Sequence, residues 1–158
     1  MGEDMQKQIF TDIARRNFYI KQFFMMNEIP VHLLGDANNP LIVNEKNIVL
    51  SCFVHNFNLI FKDNSFEGKE VFSVKLKNEA EFCKEKLEYW IKTANHRKIY
   101  LFQSEGGLYY NRYVKEYNGK MALYSPSKEL AYYVFQRQKA VEMVQNLKKD
   151  KIHLSIVY

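Results

Sequence analysis

Glycine, proline, cysteine and histidine are all sparse in this 158-residue chain, and each scarcity removes a class of function. Six glycines form neither the P-loop spacing nor the dinucleotide fingerprint, so no backbone cradle for a nucleotide phosphate is expected. Three prolines and no low-complexity tract leave no linker, and so no boundary inside a single domain spanning residues 1–158. Two cysteines, Cys52 in a strand-like run and Cys83 in a helix-like one, build no disulfide framework and read as small buried hydrophobes. A thiol nucleophile needs a base and a lowered pKa; Cys83 falls in the first turns of a helix, but on its apolar stripe. His32, His55, His96 and His153 are scattered. Only Cys52 and His55 share a short spacing, and in a strand they point to opposite faces. Neither a metal nor another cofactor is expected.

Long apolar runs are also missing. Nothing approaches the roughly 20 residues that span a bilayer. The opening Met1-Gly2-Glu3-Asp4 is acidic, unlike a secretory signal, and Gln6 stands where a myristoylation signal wants Ser or Thr. The expectation is a cytoplasmic protein with no membrane partner.

What is present is globular in balance, with 47% hydrophobic and 26% charged residues. The net charge of +5 is unevenly spread. Residues 1–79 carry 9 basic and 10 acidic side chains, whereas residues 80–158 carry 14 and 8. Nine of the eleven tyrosines lie between Tyr100 and Tyr158. A half rich in lysine and tyrosine suits a negatively charged partner, nucleic acid or acidic protein.

The hydrophobic periodicity predicts an α+β fold: an antiparallel sheet of meander and hairpins with N-terminal, central and C-terminal helices. Ile9, Ile13, Ile20, Phe23 and Phe24 place a helix over Met5–Asn27, stopped by Pro30. Short β-rich runs follow at Leu41–Val43, Asn47–Val54, Phe57–Phe61 and Glu70–Leu76. Asn78 and Glu81 form a capping-box-like start for a second helix, whose stripe is Ala80, Cys83, Leu87, Trp90, Ile91 and Ala94. Three strands, Lys98–Ser104, Leu108–Tyr117 and Lys120–Ser125, are joined at Gly106-Gly107 and Asn118-Gly119, both suited to two-residue hairpin turns. Ser125-Pro126 then opens a helical region. A short helix is expected near Lys128–Tyr132, a longer one over Gln138–Lys149, and a closing strand over Ile152–Val157.

Two-residue turns pair Tyr117 with Lys120 and Leu101 with Arg112, which gathers Ile99, Leu101, Tyr110, Val114, Met121 and Leu123 on a core face. The opposite face collects Tyr100, Phe102, Tyr109, Tyr113, Lys115, Tyr117, Lys120 and Tyr124. A three-residue turn at Gly106 would move Tyr100 and Phe102 across. Aromatic rings on such a face stack with unpaired bases or anchor a protein interface, and interleaved lysines meet phosphates or carboxylates. The candidate binding residues are therefore Tyr100, Tyr109, Tyr113, Lys115, Tyr117, Lys120 and Tyr124, with Arg97, Lys98 and Arg137 as further cations. The competing expectation is that a helix covers this face and the tyrosines are core. Asp63, Glu67 and Glu70, ahead of Lys75, are the one carboxylate cluster with any likeness to a metal-dependent nuclease, and they also read as solvating charges of a loop.

The C-terminal third, from Gly107-Leu108-Tyr109-Tyr110 through the Asn118-Gly119 turn to Leu130-Ala131-Tyr132-Tyr133-Val134-Phe135 and Lys139-Ala140-Val141, resembles the hairpin-then-helix ending of small phage and mobile-element accessory proteins. Inhibitors of bacterial defence systems, anti-CRISPR proteins among them, belong to that group. The resemblance implies a non-enzymatic inhibitor or adaptor acting on a host protein or ribonucleoprotein. Direct binding of single-stranded RNA or DNA is the alternative, and a metal-dependent nuclease the second alternative.

Overall fold

The computed structural model describes residues 3–36, 38–56, 58–63, 70–75 and 82–158, with side chains from residue 13 onward. The described residues form an α+β protein with three α-helices and eleven strands in three antiparallel sheets. The chain gathers into two compact units, Met1–Glu45 with Val49–Arg97, and Lys46–Ile48 with Lys98–Tyr158.

The first unit begins with α1 (Glu3–Met26), which buries Ile20, Phe23 and Phe24. Its end is closed by paired bonds from Ile29 N–H to the Phe24 carbonyl and from Glu28 N–H to the Met25 carbonyl. That double closure needs a left-handed residue, here Glu28 at φ 60°, and it sets Pro30 just beyond the helix. Asn27 is completely buried. Its Nδ2 donates to the Phe23 carbonyl at 2.9 Å, and its Oδ1 accepts the Cys83 N–H at 2.6 Å. One carboxamide thus ends the first helix and starts the second, α2 (Lys84–Thr93), whose own Cys83 supplies no side-chain cap. The Asn78 and Glu81 capping box lies outside the described residues. Replacing Asn27 with Leu keeps the volume but strands the Cys83 N–H, and it is expected to cost about 1–3 kcal/mol of unfolding free energy in urea titrations.

Between the helices run β1 (Val31–Leu34), β2 (Leu41–Asn44), β3 (Ile48–Val49), β4 (Cys52–His55), β5 (Asn58–Lys62) and β6 (Glu70–Lys75). β1 and β2 form a hairpin in a stretch where only the second strand was expected. The expected single strand Asn47–Val54 is two. Leu50 N–H bonds back to the Ile42 carbonyl, and Cys52 N–H closes a tight turn onto Leu50. This turn sends β4 into a separate meander with β5 and β6. Phe61 sits at the middle of the core, stacked on Phe72 (4.3 Å, 17°) and meeting Trp90 edge-on at 4.9 Å. The Trp90 indole N–H donates to the Lys62 carbonyl at 3.0 Å.

Next along the chain is the short β7 (Arg97–Lys98). The second unit continues with β8 (Leu101–Gln103), β9 (Tyr109–Glu116), β10 (Gly119–Ser125), α3 (Arg137–Lys149) and β11 (Ser155–Val157), its sheet ordered β10-β9-β8-β11. The Ser125-Pro126 helix start is not formed. Ser125 Oγ instead accepts the Ser127 N–H at 3.0 Å, and only a 3₁₀ turn over Lys128–Leu130 follows.

Two register details decide what faces what. The β9–β10 turn pairs Glu116 with Gly119, two positions short of the expected register, and so leaves every side chain on its face. The β8–β9 loop has three residues, Glu105, Gly106 and Gly107, closed by Ser104 N–H on the Leu108 carbonyl, with Gly107 at φ 81°. Gln103 consequently pairs with Tyr109, and β8 is inverted relative to the two-residue expectation. Phe102 now shares a face with Tyr110, their rings 6.5 Å apart, and packs with Ala140, Leu147, Ile152 and Leu154 as the core of this unit.

Candidate binding groove in the second unit

The face carrying Tyr110 is half covered. α3 turns Ala140 and Leu147 inward, with Met143 and Val144 beside them, and closes over the β8 end of the sheet. The competing expectation of covered tyrosines holds there: Tyr110 is 2% exposed and Phe102 fully buried. Toward β10 the face stays open, leaving Tyr113, Lys115, Lys120 and Tyr124 at the surface or half-buried.

A β-bulge reshapes the boundary between the two halves. Tyr124 pairs with Tyr110 and Leu123 with Arg112, so Asn111 is an extra residue in β9. Bulges re-aim side chains. Asn111 and Arg112, which alternate in a regular strand, both line one groove here. Asn111 Nδ2 donates to the Leu130 carbonyl at 2.7 Å, and Tyr132 N–H donates to the Tyr110 carbonyl at 2.9 Å, which pins the segment carrying Tyr132 along the sheet. Val134 exchanges both backbone bonds with Tyr100.

The result is a cavity of about 510 Å³ between the sheet, this segment and α3. Tyr110, Tyr113 and Tyr132 supply aromatic walls, and Val134, Met143 and Leu147 supply apolar ones. Arg112, Lys120 and Lys139 bring positive charge, with Glu142 the one carboxylate on the lining. Tyr110 touches Tyr124 and Tyr132 edge-on, each at 6.3 Å. Burial, reinforced by the Tyr113, Tyr132 and Tyr124 phenols, pushes the Tyr110 hydroxyl up to about 12, which keeps it a neutral donor.

The three cations differ. Lys120 is engaged, paired with Asp150 at 3.2 Å and lying 4.6 Å from the Tyr113 ring centre. The Arg112 and Lys139 side chains are exposed and pair with no described residue. Lys115 stands directly across from Lys120 in the ladder, a like-charge pairing that weakens a sheet.

The expected face is therefore divided. Tyr113, Lys115, Lys120 and Tyr124 stay together, but Tyr109 lies on the opposite side and Tyr117 is fully exposed at the tip of the turn. Tyr100 packs beside Phe102 under the covered half of the face, and its ring meets Tyr158 edge-on at 6.0 Å. Lys98 lies 5.9 Å from the Tyr100 ring and Arg137 5.4 Å from the Tyr158 ring. Arg97 is exposed on β7. On the expected core face Ile99 and Leu101 are buried, but Met121 is 44% exposed and Tyr110 belongs to the other side. Arg112, Tyr132, Lys139 and Asn146 were missed by sequence reasoning. The one available signal is the spacing of Lys139, Glu142, Met143 and Asn146, which occupies one strip of α3.

Elsewhere, Asp63 Oδ1 accepts the Asn95 N–H at 3.2 Å, and Glu67 lies outside the described residues. Among the described residues no three His, Cys, Asp or Glu side chains gather as metal ligands, and no described helix is long and apolar enough to cross a membrane. Both cysteines are half-buried, and desolvation pushes the Cys52 thiol up, away from its nucleophilic form. The fold and groove define an α+β protein with an aromatic, basic cavity. No family model, curated protein or solved structure matches the chain.

Proposed function

We propose that this chain is a non-enzymatic binding protein, an inhibitor or adaptor that engages a host protein or ribonucleoprotein through the groove of its second unit. The observation that carries this reading is the pairing of tyrosine walls with two cations, Arg112 and Lys139, that have no partner among the described residues. Tyrosine gives large contact area at small entropic cost, and unneutralised cations steer an acidic surface and fix its register. The charge is concentrated accordingly. Counting Lys46–Ile48 and Lys98–Tyr158, the second unit holds eleven basic and five acidic side chains, so the whole positive excess resides there.

Affinity purification from the source cell with identification of both protein and nucleic acid tests this reading. The wild type is run beside Tyr113→Ala/Lys139→Gln and a control, Tyr109→Ala, on the opposite face. A specific partner lost with the groove variant and kept with the control is the expected result; a partner retained by both moves the function elsewhere on the molecule.

A further inference from the structure

The groove is not uniform along its length. Lys139, Glu142 and Asn146 mark out roughly 10 Å of α3, given a rise of about 1.5 Å per residue. Lys139, which pairs with no described residue, stands in the first turn, while Lys120 is held at the far end by Asp150, the residue that caps the helix. Tyr113, under Lys120, and Tyr132 line the same cavity and are 40% and 44% exposed. At about 510 Å³ the cavity lies within the range of roughly 300–1,000 Å³ that holds compact ligands.

Each feature asks something of the occupant. Aromatic walls open on one side want a flat ring. Arg112 and Lys139, which pair with no described residue, want anions spaced along a chain. An acidic protein loop with an aromatic residue satisfies the cations and offers a ring, but without the regular alternation of ring and anion along the chain. Duplex nucleic acid brings phosphates but keeps its bases stacked inside. A single strand supplies both, since stacking on aromatic side chains tolerates any base and its phosphates follow at regular intervals.

Resting on the reading of this groove as the binding surface, we infer that it seats an unpaired nucleotide of a single-stranded nucleic acid, the base against Tyr113 and Tyr132 and the phosphates on Arg112 and Lys139. Glu142, the one carboxylate on the lining, accepts a hydrogen bond from Gln138 Nε2 at 3.4 Å and in this pose would face a base amine rather than a phosphate.

The test is fluorescence anisotropy of labelled mixed-sequence strands of about ten nucleotides, within the site sizes of about 4–16 that single-strand binders cover. RNA and DNA form separate arms, each also annealed to its complement, and titrations are run at several salt concentrations with the full chain. Single strands are expected to bind at least about tenfold more tightly than duplex, with tighter RNA binding reporting an interaction with the 2′-hydroxyl. Arg112→Gln/Lys139→Gln should lower the slope of log K against log salt by about 1.4, near 0.7 for each phosphate no longer neutralised. Tyr132→Leu should weaken binding at least about fivefold, the low end for loss of one stacked base. Tyr113→Ala is the second variant should Tyr132→Leu disturb packing. Duplex binding as tight as single strand, or groove variants indistinguishable from wild type, overturns the inference. So does an acidic tyrosine-containing peptide that binds where neither oligonucleotide does. If the cellular partner is lost from the groove variant while the wild type binds no oligonucleotide, the groove stands as a protein site and the nucleotide does not.

Discussion

Reversing Arg112 and Lys139 to glutamate together is expected to reduce affinity for the captured partner by at least about 100-fold, while the thermal unfolding midpoint stays close to that of the wild type. Charge-assisted hydrogen bonds contribute about 1.5–3 kcal/mol each, and about 1.4 kcal/mol is a factor of ten. Two such losses, with repulsion added, exceed two decades. Stability should hold because neither side chain pairs with a described residue, and substitutions at such surface sites usually stay within about 0.5 kcal/mol. Calorimetric titration of the purified partner beside a melting curve reads both quantities. Undiminished affinity in the double variant would remove the groove from the binding surface. Lys120 is a poorer choice for this experiment, since its replacement also releases Asp150 and uncovers the Tyr113 ring.

The largest effect on stability is expected at Trp90, the single tryptophan of the chain. It is 1% exposed, touches Phe61 and His96 edge-on at 4.9 Å each, and satisfies the Lys62 carbonyl. Trp90→Ala opens a cavity among these rings and orphans that carbonyl, a loss of about 3–5 kcal/mol or more. Against a typical total of about 5–15 kcal/mol, this is a large part of the fold's stability. Trp90→Phe keeps much of the ring volume and removes the hydrogen bond, so it should cost less than half as much. Urea denaturation followed by far-ultraviolet circular dichroism, which does not depend on the indole, measures both. Equal losses would show that the bond to Lys62, rather than ring packing, dominates at this site.

These effects could be anticipated from the sequence to very different degrees. The core of the first unit is legible because Phe23 and Phe24, Leu87 and Trp90 recur at helical spacing, and because Pro30 follows its helix where a helix must already have ended. The break at Leu50-Ser51 is not legible. It is made by backbone hydrogen bonds inside an apolar run with no glycine or proline to mark it. The groove was half readable. Tyrosine and lysine alternation placed Tyr113, Lys115, Lys120 and Tyr124 together, since a register slip of two leaves side-chain faces unchanged. Gly106-Gly107, however, suits a loop of two residues or of three, and that one-residue difference inverts β8 against Tyr109, so that Phe102 faces Tyr110 instead. Nothing in the residues around Asn111 announces the bulge that brings Arg112 into the lining. The wall given by α3 depends on tertiary packing.

The order β10-β9-β8-β11 leaves β10 as a terminal strand of its sheet, a template on which a second copy could pair. Two features of the groove also guard against such self-association. The bulge at Asn111 twists the ladder, and Lys115 and Lys120 put two positive charges side by side near its rim. The charge arrangement suited to an anionic partner therefore also protects solubility. Apolar replacements of Lys120 should turn the protein toward aggregation at high concentration, an outcome to be separated from lost binding by light scattering.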